Sequence, residues 1–279
     1  MSSKPDRPNT EIWDRNRGVI RSSKGGWFAG KGVFSHGYDM MHDLVGKVSY
    51  MQVIILNATG RLPSEKIAKW CEAAFICLSW PDPRIWCNHI GALAGSSRCS
   101  PVSATAAGSL ASDSLAYGPR TLAEGLAFIQ SARKKQLQGY SAKDIVRAEC
   151  RIKGKTPTII GYARPIAKGD ERVDALERTV RELGFTIGPH LSLAYEIENY
   201  MLEQYDESMN MSGFGSGFLA DLDFNFTPKE VYRVGSCLIS SGVTACYCDT
   251  DDKAAHTFLP MYCDDIDYQG KENRTVPGK

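Results

Sequence analysis

Apolar residues recur at helical spacing along most of the chain. After Leu62-Pro63, Ser64 stands where a helix N-cap belongs, and Ile67, Trp70, Cys71, Ala74, Phe75 and Leu78 follow at three- and four-residue steps until Pro81 and Pro83. Leu122, Leu126 and Ile129 predict another amphipathic helix, and Ser141 caps a further one reaching Cys150. Val173, Leu176, Val180 and Leu183 repeat in the same way, while Ala194, Ile197 and Met201 place a long helix after Pro189. Residues 231–248 read as a final apolar helix, with an acidic, proline-containing tail behind it.

The remaining segments carry weaker patterns. Residues 1–12 are polar and read as a disordered N-terminus; residues 12–33, rich in Gly, Arg and Ser, suit turns and short strands. Residues 38–45 predict a short helix. Residues 48–56 form an apolar one that stops at Thr59-Gly60 and is too short to span a bilayer. Ala, Gly and Ser dominate residues 90–117, a composition that lets a buried helix pack closely on its neighbours. Glycines and serines around Phe214 and Phe218 make residues 209–219 a loop in this reading. Helical patterns far outnumber strand patterns, so the predicted class is all-α, with short irregular or strand segments near the N-terminus.

Charge and cysteine content narrow the partners. The 33 basic and 32 acidic residues leave a net charge of +1, so no global field attracts nucleic acid or a membrane surface, and neither is an expected partner. Nine cysteines are scattered without a C-x-x-C pair, which points to reduced thiols in a cytoplasmic protein. The N-terminal residues lack the apolar run of a signal peptide or anchor.

Chemistry concentrates in one stretch. Thr158-Ile159-Ile160 runs into a Gly/Pro-interrupted loop carrying Arg164, Lys168 and Arg172, and a helix follows. An ordered basic loop feeding a helix suits an anion such as the pyrophosphate of coenzyme A, held by backbone N–H groups with Arg and Lys. Elsewhere the acids at 249, 251, 252, 264, 265 and 267 lack the glycine of a calcium loop and read as solvated. Cys246 and Cys248 with His256 read as buried thiols on an apolar helix, and no metal site is expected. Gly213, Gly215 and Gly217 do not follow a strand and form no dinucleotide fingerprint.

Five pieces in chain order resemble the citrate synthase family, particularly its short members near citryl-CoA lyase and the carboxy-terminal part of ATP-citrate lyase. Tyr38-Asp39 through Gly60-Arg61-Leu62-Pro63 is similar to a helix followed by the family's "TGxLP" turn. Residues 92–119 resemble its small-residue helix ending in Gly-Pro, and residues 161–172 its "GxGHxxxxxDPR" loop. Residues 219–226 resemble the "NVDF" turn, and Ser241-Gly242-Val243-Thr244-Ala245 the last large-domain helix. The match spans about residues 35 to 265.

The resemblance implies acyl-CoA-dependent carbon–carbon bond formation or cleavage through an enolate of the thioester. By this register Asp223 falls on the base that takes the α-proton, and Arg172 on a carboxylate-binding arginine. Thr121 replaces the histidine that steadies the enolate oxygen, and Arg164 the histidine that polarises the ketone. An upstream substrate histidine falls on Pro83, with His89 close enough to take its place, and two further carboxylate-binding arginines fall near Ile239 and Leu259. Lys168, with the backbone of Gly161 and Gly169, would hold the coenzyme. An arginine stabilises an alkoxide but gives up no proton, and a threonine is a poor proton source, so the expected chemistry is weakened and the acceptor altered. The alternative is a member without catalysis, kept as a coenzyme A-binding or structural subunit.

The implied layout is a large helical domain, residues 13–120 with 221–279, and a smaller mobile one, residues 121–220. The implied partners are an acyl-CoA as substrate and a small carboxylic or keto acid, with no tightly bound cofactor, and a homodimer packed through the small-residue helices.

Overall fold

A computed structural model describes residues 10–115, 117–150, 155–164, 168–237, 239–259, 261–271 and 274–277. Residues 1–9 of the N-terminus expected to be disordered to residue 12 lie outside the described residues, whereas Glu11 and Ile12 open a short helix instead. The chain forms two units, residues 1–71 and 72–279.

In the first unit a short helix α1 (Glu11–Asn16) precedes a three-stranded antiparallel sheet of β1 (Gly25–Phe28), β2 (Gly32–Ser35) and β3 (Tyr38–Asp39), in the order β1-β2-β3. The short helix expected at residues 38–45 is thus half strand, completed by a single wide turn at Met40–Leu44 that Asp39 caps from its side chain. Helix α2 (Tyr50–Thr59) begins at a reciprocal capping box between Ser49 and Gln52 and ends at Gly60 in the left-handed conformation, the stop read from Thr59-Gly60.

Helix α3 (Glu65–Ile76) starts at Ser64, whose hydroxyl accepts from the Ile67 N–H, and buries Ile67, Ala68, Trp70 and Cys71, as the spacing predicts. The boundary between the two units falls within α3, after Cys71, and the second unit goes on with α4 (Trp86–Ser96), α5 (Pro101–Ser112), α6 (Pro119–Leu137), α7 (Ala142–Ala148), α8 (Glu171–Glu182), α9 (Pro189–Tyr205), α10 (Met211–Asp221), α11 (Pro228–Gly235) and α12 (Ser240–Asp251). The mainly helical class is therefore observed.

Three segments depart from the hydrophobic pattern. The single helix expected across residues 90–117 is two, because Pro101 opens a new helix whose first turn Ser100 caps. Residues 231–248 are likewise divided between α11 and α12. The largest correction is at residues 209–219, expected as a loop: Met211–Asp221 is a helix capped by Asn210 and buried at Met211 and from Gly213 to Leu219. Each glycine costs about 1 kcal/mol relative to alanine in a helix interior. Burial of Phe214 and Phe218 and close packing on α6 and α9 outweigh that cost.

Helices α4, α5 and α12 pack on one another. Close approach is the reason for glycine here: a Cβ at Gly91 would lie 2.5 Å from the Val243 carbonyl oxygen of α12. Helices α6, α8 and α9 surround α10, and α11 lies on α6.

Candidate functional site

A cavity of about 380 Å³ opens in the second unit, bordered by the α3–α4 connection, the start of α6, Ala163 and Arg164, the start of α8 and the first turn of α10. Leu78, Trp80, Ile85, Trp86, Leu122 and Met211 give it an apolar wall; Arg84, Arg164, Arg172, Thr121, Asn210 and Ser212 supply polar groups. Three of the sequence candidates, Thr121, Arg164 and Arg172, are thus brought to one place.

The local chain path explains their position. Gly161 (φ +94°) passes so close to α10 that its Cβ would fall 2.5 Å from the Gly213 Cα, a position open only to glycine. Its carbonyl accepts from the Asn210 N–H at 2.9 Å, and Ala163 donates to the Ser208 carbonyl at 2.8 Å. Asn210 then spends every side-chain group on backbone: its amide donates to the Ala163 carbonyl at 2.7 Å, while its oxygen accepts from the Ser212 and Gly213 N–H groups. Loop and helix start are fastened together.

Asp170 is the electrostatic centre of this corner. Its side chain is 1% exposed and accepts from Arg172 Nε and Nη2, both at 2.7 Å, and from the Met211 N–H at 2.9 Å. Burial alone would raise this carboxyl, but the Arg172 hydrogen bonds and charge, with the Met211 N–H, hold it below its ordinary value. Arg164, 9% exposed, is paired with Glu171 at 2.6 Å and sits 5.9 Å from the centre of the Trp80 ring. Arg84 is bound to Asp82 at 2.6 Å. Every guanidinium on the cavity wall therefore already has a carboxylate.

The uncharged groups are mostly committed as well. Thr121 donates its proton to the Gly118 carbonyl at 2.9 Å, and the Trp86 indole donates to the Ala111 carbonyl. Tyr117, edge-on to Trp86 with ring centres 4.9 Å apart, is another wall residue; burial pushes its phenol up to about 12, so it stays protonated. Ser212 differs: its Oγ is buried and has no hydrogen-bond partner. Sequence reasoning missed Ser212, Asp170, Asn210 and Tyr117. Of these only Asp170 carried a signal, lying two residues before Arg172 in the basic loop.

Other candidates lie elsewhere. Asp223 is exposed in the turn after α10 and does not line the cavity. His89 is directed to the Pro83 carbonyl at 2.9 Å and packs edge-on to Phe258. Lys168 pairs with Asp206, and the Gly169 N–H donates to Ser208 Oγ. Both line a second hollow of about 460 Å³ whose other walls include Asp170, Glu171, Asp174, Glu177 and Glu198, a surrounding hostile to phosphate. Ile239 is a buried core residue and Leu259 an exposed one. Among the described residues no group of three His, Cys, Asp or Glu side chains is placed to hold a metal ion, and the eight cysteines with described side chains are free thiols.

Fold and cavity together define a mainly helical protein with a small-molecule-sized site beside a glycine-pinned loop. Its fold is citrate synthase-like. The chain is similar to citryl-CoA lyase from Hydrogenobacter thermophilus (TM-score 0.72, 22% identity over 93% of this chain and 98% of that one). It is also similar to ATP citrate lyase from Methanothrix soehngenii, solved with citrate and coenzyme A (TM-score 0.73, 16% identity), spanning 97% of this chain but only 45% of that chain. Citrate synthase from Thermotoga maritima shares the fold at TM-score 0.59 and 16% identity, over 82% of this chain and 60% of that one. No protein-family model and no curated protein sequence matches the chain. Among the described residues no helix is long and apolar enough to cross a membrane.

Proposed function

We propose that the cavity is a site for a carboxylic acid or its coenzyme A thioester, of the kind on which its structural neighbours make or break carbon–carbon bonds, and that the chain binds this ligand without abstracting a proton from it. One observation carries the second half: neither a carboxylate nor an imidazole lines the cavity among the described residues. Enolate chemistry needs a base at the α-carbon, and Asp223, in the turn after α10, does not line the cavity. Thr121, having donated to Gly118, presents lone pairs and no proton to an enolate oxygen.

The enzymatic reading, carbon–carbon bond formation or cleavage with an altered acceptor, has a specific observation in its favour: Arg164 and Arg172 converge on the same cavity as a neutral phenol and a serine hydroxyl. These groups suit stabilisation of negative charge on oxygen. The two readings separate in one experiment. Acetyl-CoA in deuterated water is followed by proton NMR for loss of its methyl signal, beside calorimetric titration with coenzyme A. Binding without exchange is the expected result; exchange that Asp223→Asn removes would establish the enzyme instead, and absence of any binding would overturn both.

The proposal retains the two-domain arrangement. Packing of α4 and α5 on α12, and of α6, α8 and α9 on α10, supports a large and a small domain, although α11 on α6 argues for a boundary later than residue 221. Exposed Val102 and Leu110 on α5 and Leu93 on α4 support a homodimer through the small-residue helices. Light scattering at micromolar concentration tests this, with twice the chain mass expected.

A further inference from the structure

The cavity's charge balance and its unspent hydroxyls specify a class of ligand, an inference that rests on reading the cavity as an acid or thioester site. Each cation on the wall is matched: Arg84 by Asp82, Arg164 by Glu171, Arg172 by Asp170. A di- or tricarboxylate would bring two or three negative charges into a wall whose net charge these pairs already cancel, and it would have to pull guanidiniums away from their partners. What the wall offers in quantity is flat apolar surface, from Trp80, Trp86 and Tyr117, closed by Leu78, Leu122 and Met211. Polar groups that normally orient a ligand are spent on backbone, in Thr121, Asn210 and the Trp86 indole. Among the described residues two hydroxyls of the cavity wall are not spent this way, the Tyr117 phenol and that of Ser212, whose oxygen is buried and unpartnered. A buried hydroxyl left without a partner is costly; its oxygen is closed to the cavity as it stands, so a turn about χ1 has to bring it round before a ligand oxygen can remove that cost.

We propose that the cavity takes a flat apolar acyl group of a monocarboxylic acid or its thioester, with the Ser212 hydroxyl, turned about χ1 from its buried position, as the hydrogen-bonding anchor for its oxygen. The aromatic rings supply most of the contact area and Ser212 fixes the orientation, the usual division of labour in small-molecule pockets. Selectivity against citrate then comes from cancelled charge, with no steric barrier needed.

Calorimetric titration of the full chain with phenylacetate, phenylacetyl-CoA, citrate and coenzyme A alone tests this. Phenylacetyl-CoA is expected to bind at least ~10-fold more tightly than coenzyme A, and phenylacetate more tightly than citrate. Ser212→Ala should weaken phenylacetyl-CoA about 5- to 10-fold and leave coenzyme A unchanged, as for one lost hydrogen bond. Ser212→Thr, which keeps the hydroxyl, should retain more of the affinity than alanine does. If citrate binds more tightly than phenylacetate, or if Ser212→Ala changes nothing, the inference is overturned. Coenzyme A binding with no gain from the acyl group would sink the inference and keep the thioester reading. Selective binding of phenylacetate with no contribution from the coenzyme would do the reverse.

Discussion

Two glycine-rich contacts in the second unit do different work with the same residue. At Gly91 the missing Cβ lets α4 lie against the backbone of α12, and nothing polar is gained or exposed. At Gly161 and Gly213 it lets a loop lie against a helix start, and that contact delivers Arg164, Asp170 and Arg172 to a cavity. The first contact is insurance for packing alone, whereas the second fixes where charge sits. Glycine by itself does not distinguish scaffold from site; the polar groups within one helical turn of it do.

The comparison predicts unequal damage. Asp170→Ala should be the most harmful change on the loop side, because it strands the buried Arg172 guanidinium and the Met211 N–H; a loss of about 3–5 kcal/mol in urea unfolding is expected. An effect under ~1 kcal/mol would show that this ion pair is solvent-relaxed and that the corner is not organised around it. Gly91→Val should cost about 1–3 kcal/mol by overpacking α12, while leaving the affinity for phenylacetate in the surviving folded protein unchanged. Asn210→Ala should cost about 1 kcal/mol as a lost helix cap, and unlike Gly91→Val it should weaken phenylacetate binding, because the first turn of α10 borders the cavity.

The smallest expected effect concerns Glu198, beside the acidic hollow. Burial, with a smaller contribution from the charge of Asp174, raises its pKa, against a lowering hydrogen bond from the Met209 N–H. For an acid whose pKa is higher folded than unfolded, stability is lost as pH rises from the unfolded value near ~4.3 through the folded value. Glu198→Gln keeps an oxygen for Met209 and should therefore stabilise at pH 7 by less than about 1 kcal/mol, discounted for its partial exposure, with no gain at pH 4. Asp170 carries the opposite sign: its lowered pKa contributes stability above its unfolded value near ~3.9, lost as pH falls through the lower folded one. A melting-temperature profile of wild type and both variants between pH 3 and 7 resolves the two.

Much of the fold could be read from the chain because its signals are local. Ser64, Ser141 and Gly60 mark helix ends where they stand, and the spacing of Leu176 and Val180 describes a face that is indeed buried. Helix α10 could not be read that way. Its glycines and serines have poor intrinsic helicity, and what stabilises them are α6 and α9, which no window of sequence contains. The candidate site suffered from the same error. Reading residues 209–219 as a loop left Asn210 and Ser212 without a role, while Asp223, assigned by the resemblance of residues 219–226 to the family's turn, lies past the end of α10 and off this cavity's wall. Arg164 and Arg172 were legible as a cationic pair, but the neutralisation of Arg164 by Glu171 and of Arg172 by Asp170 is visible only once the loop is folded.

Ala163 holds a positive φ of +81°, a conformation that a non-glycine residue adopts only under constraint. Its N–H and carbonyl are both tied to the 208–210 segment. The backbone that carries Arg164 is thereby fastened to the start of α10 at two points, on the N–H and on the carbonyl of the residue before it. Moving the Arg164 guanidinium therefore takes a side-chain rotation away from Glu171, with the main chain beneath it staying where it is.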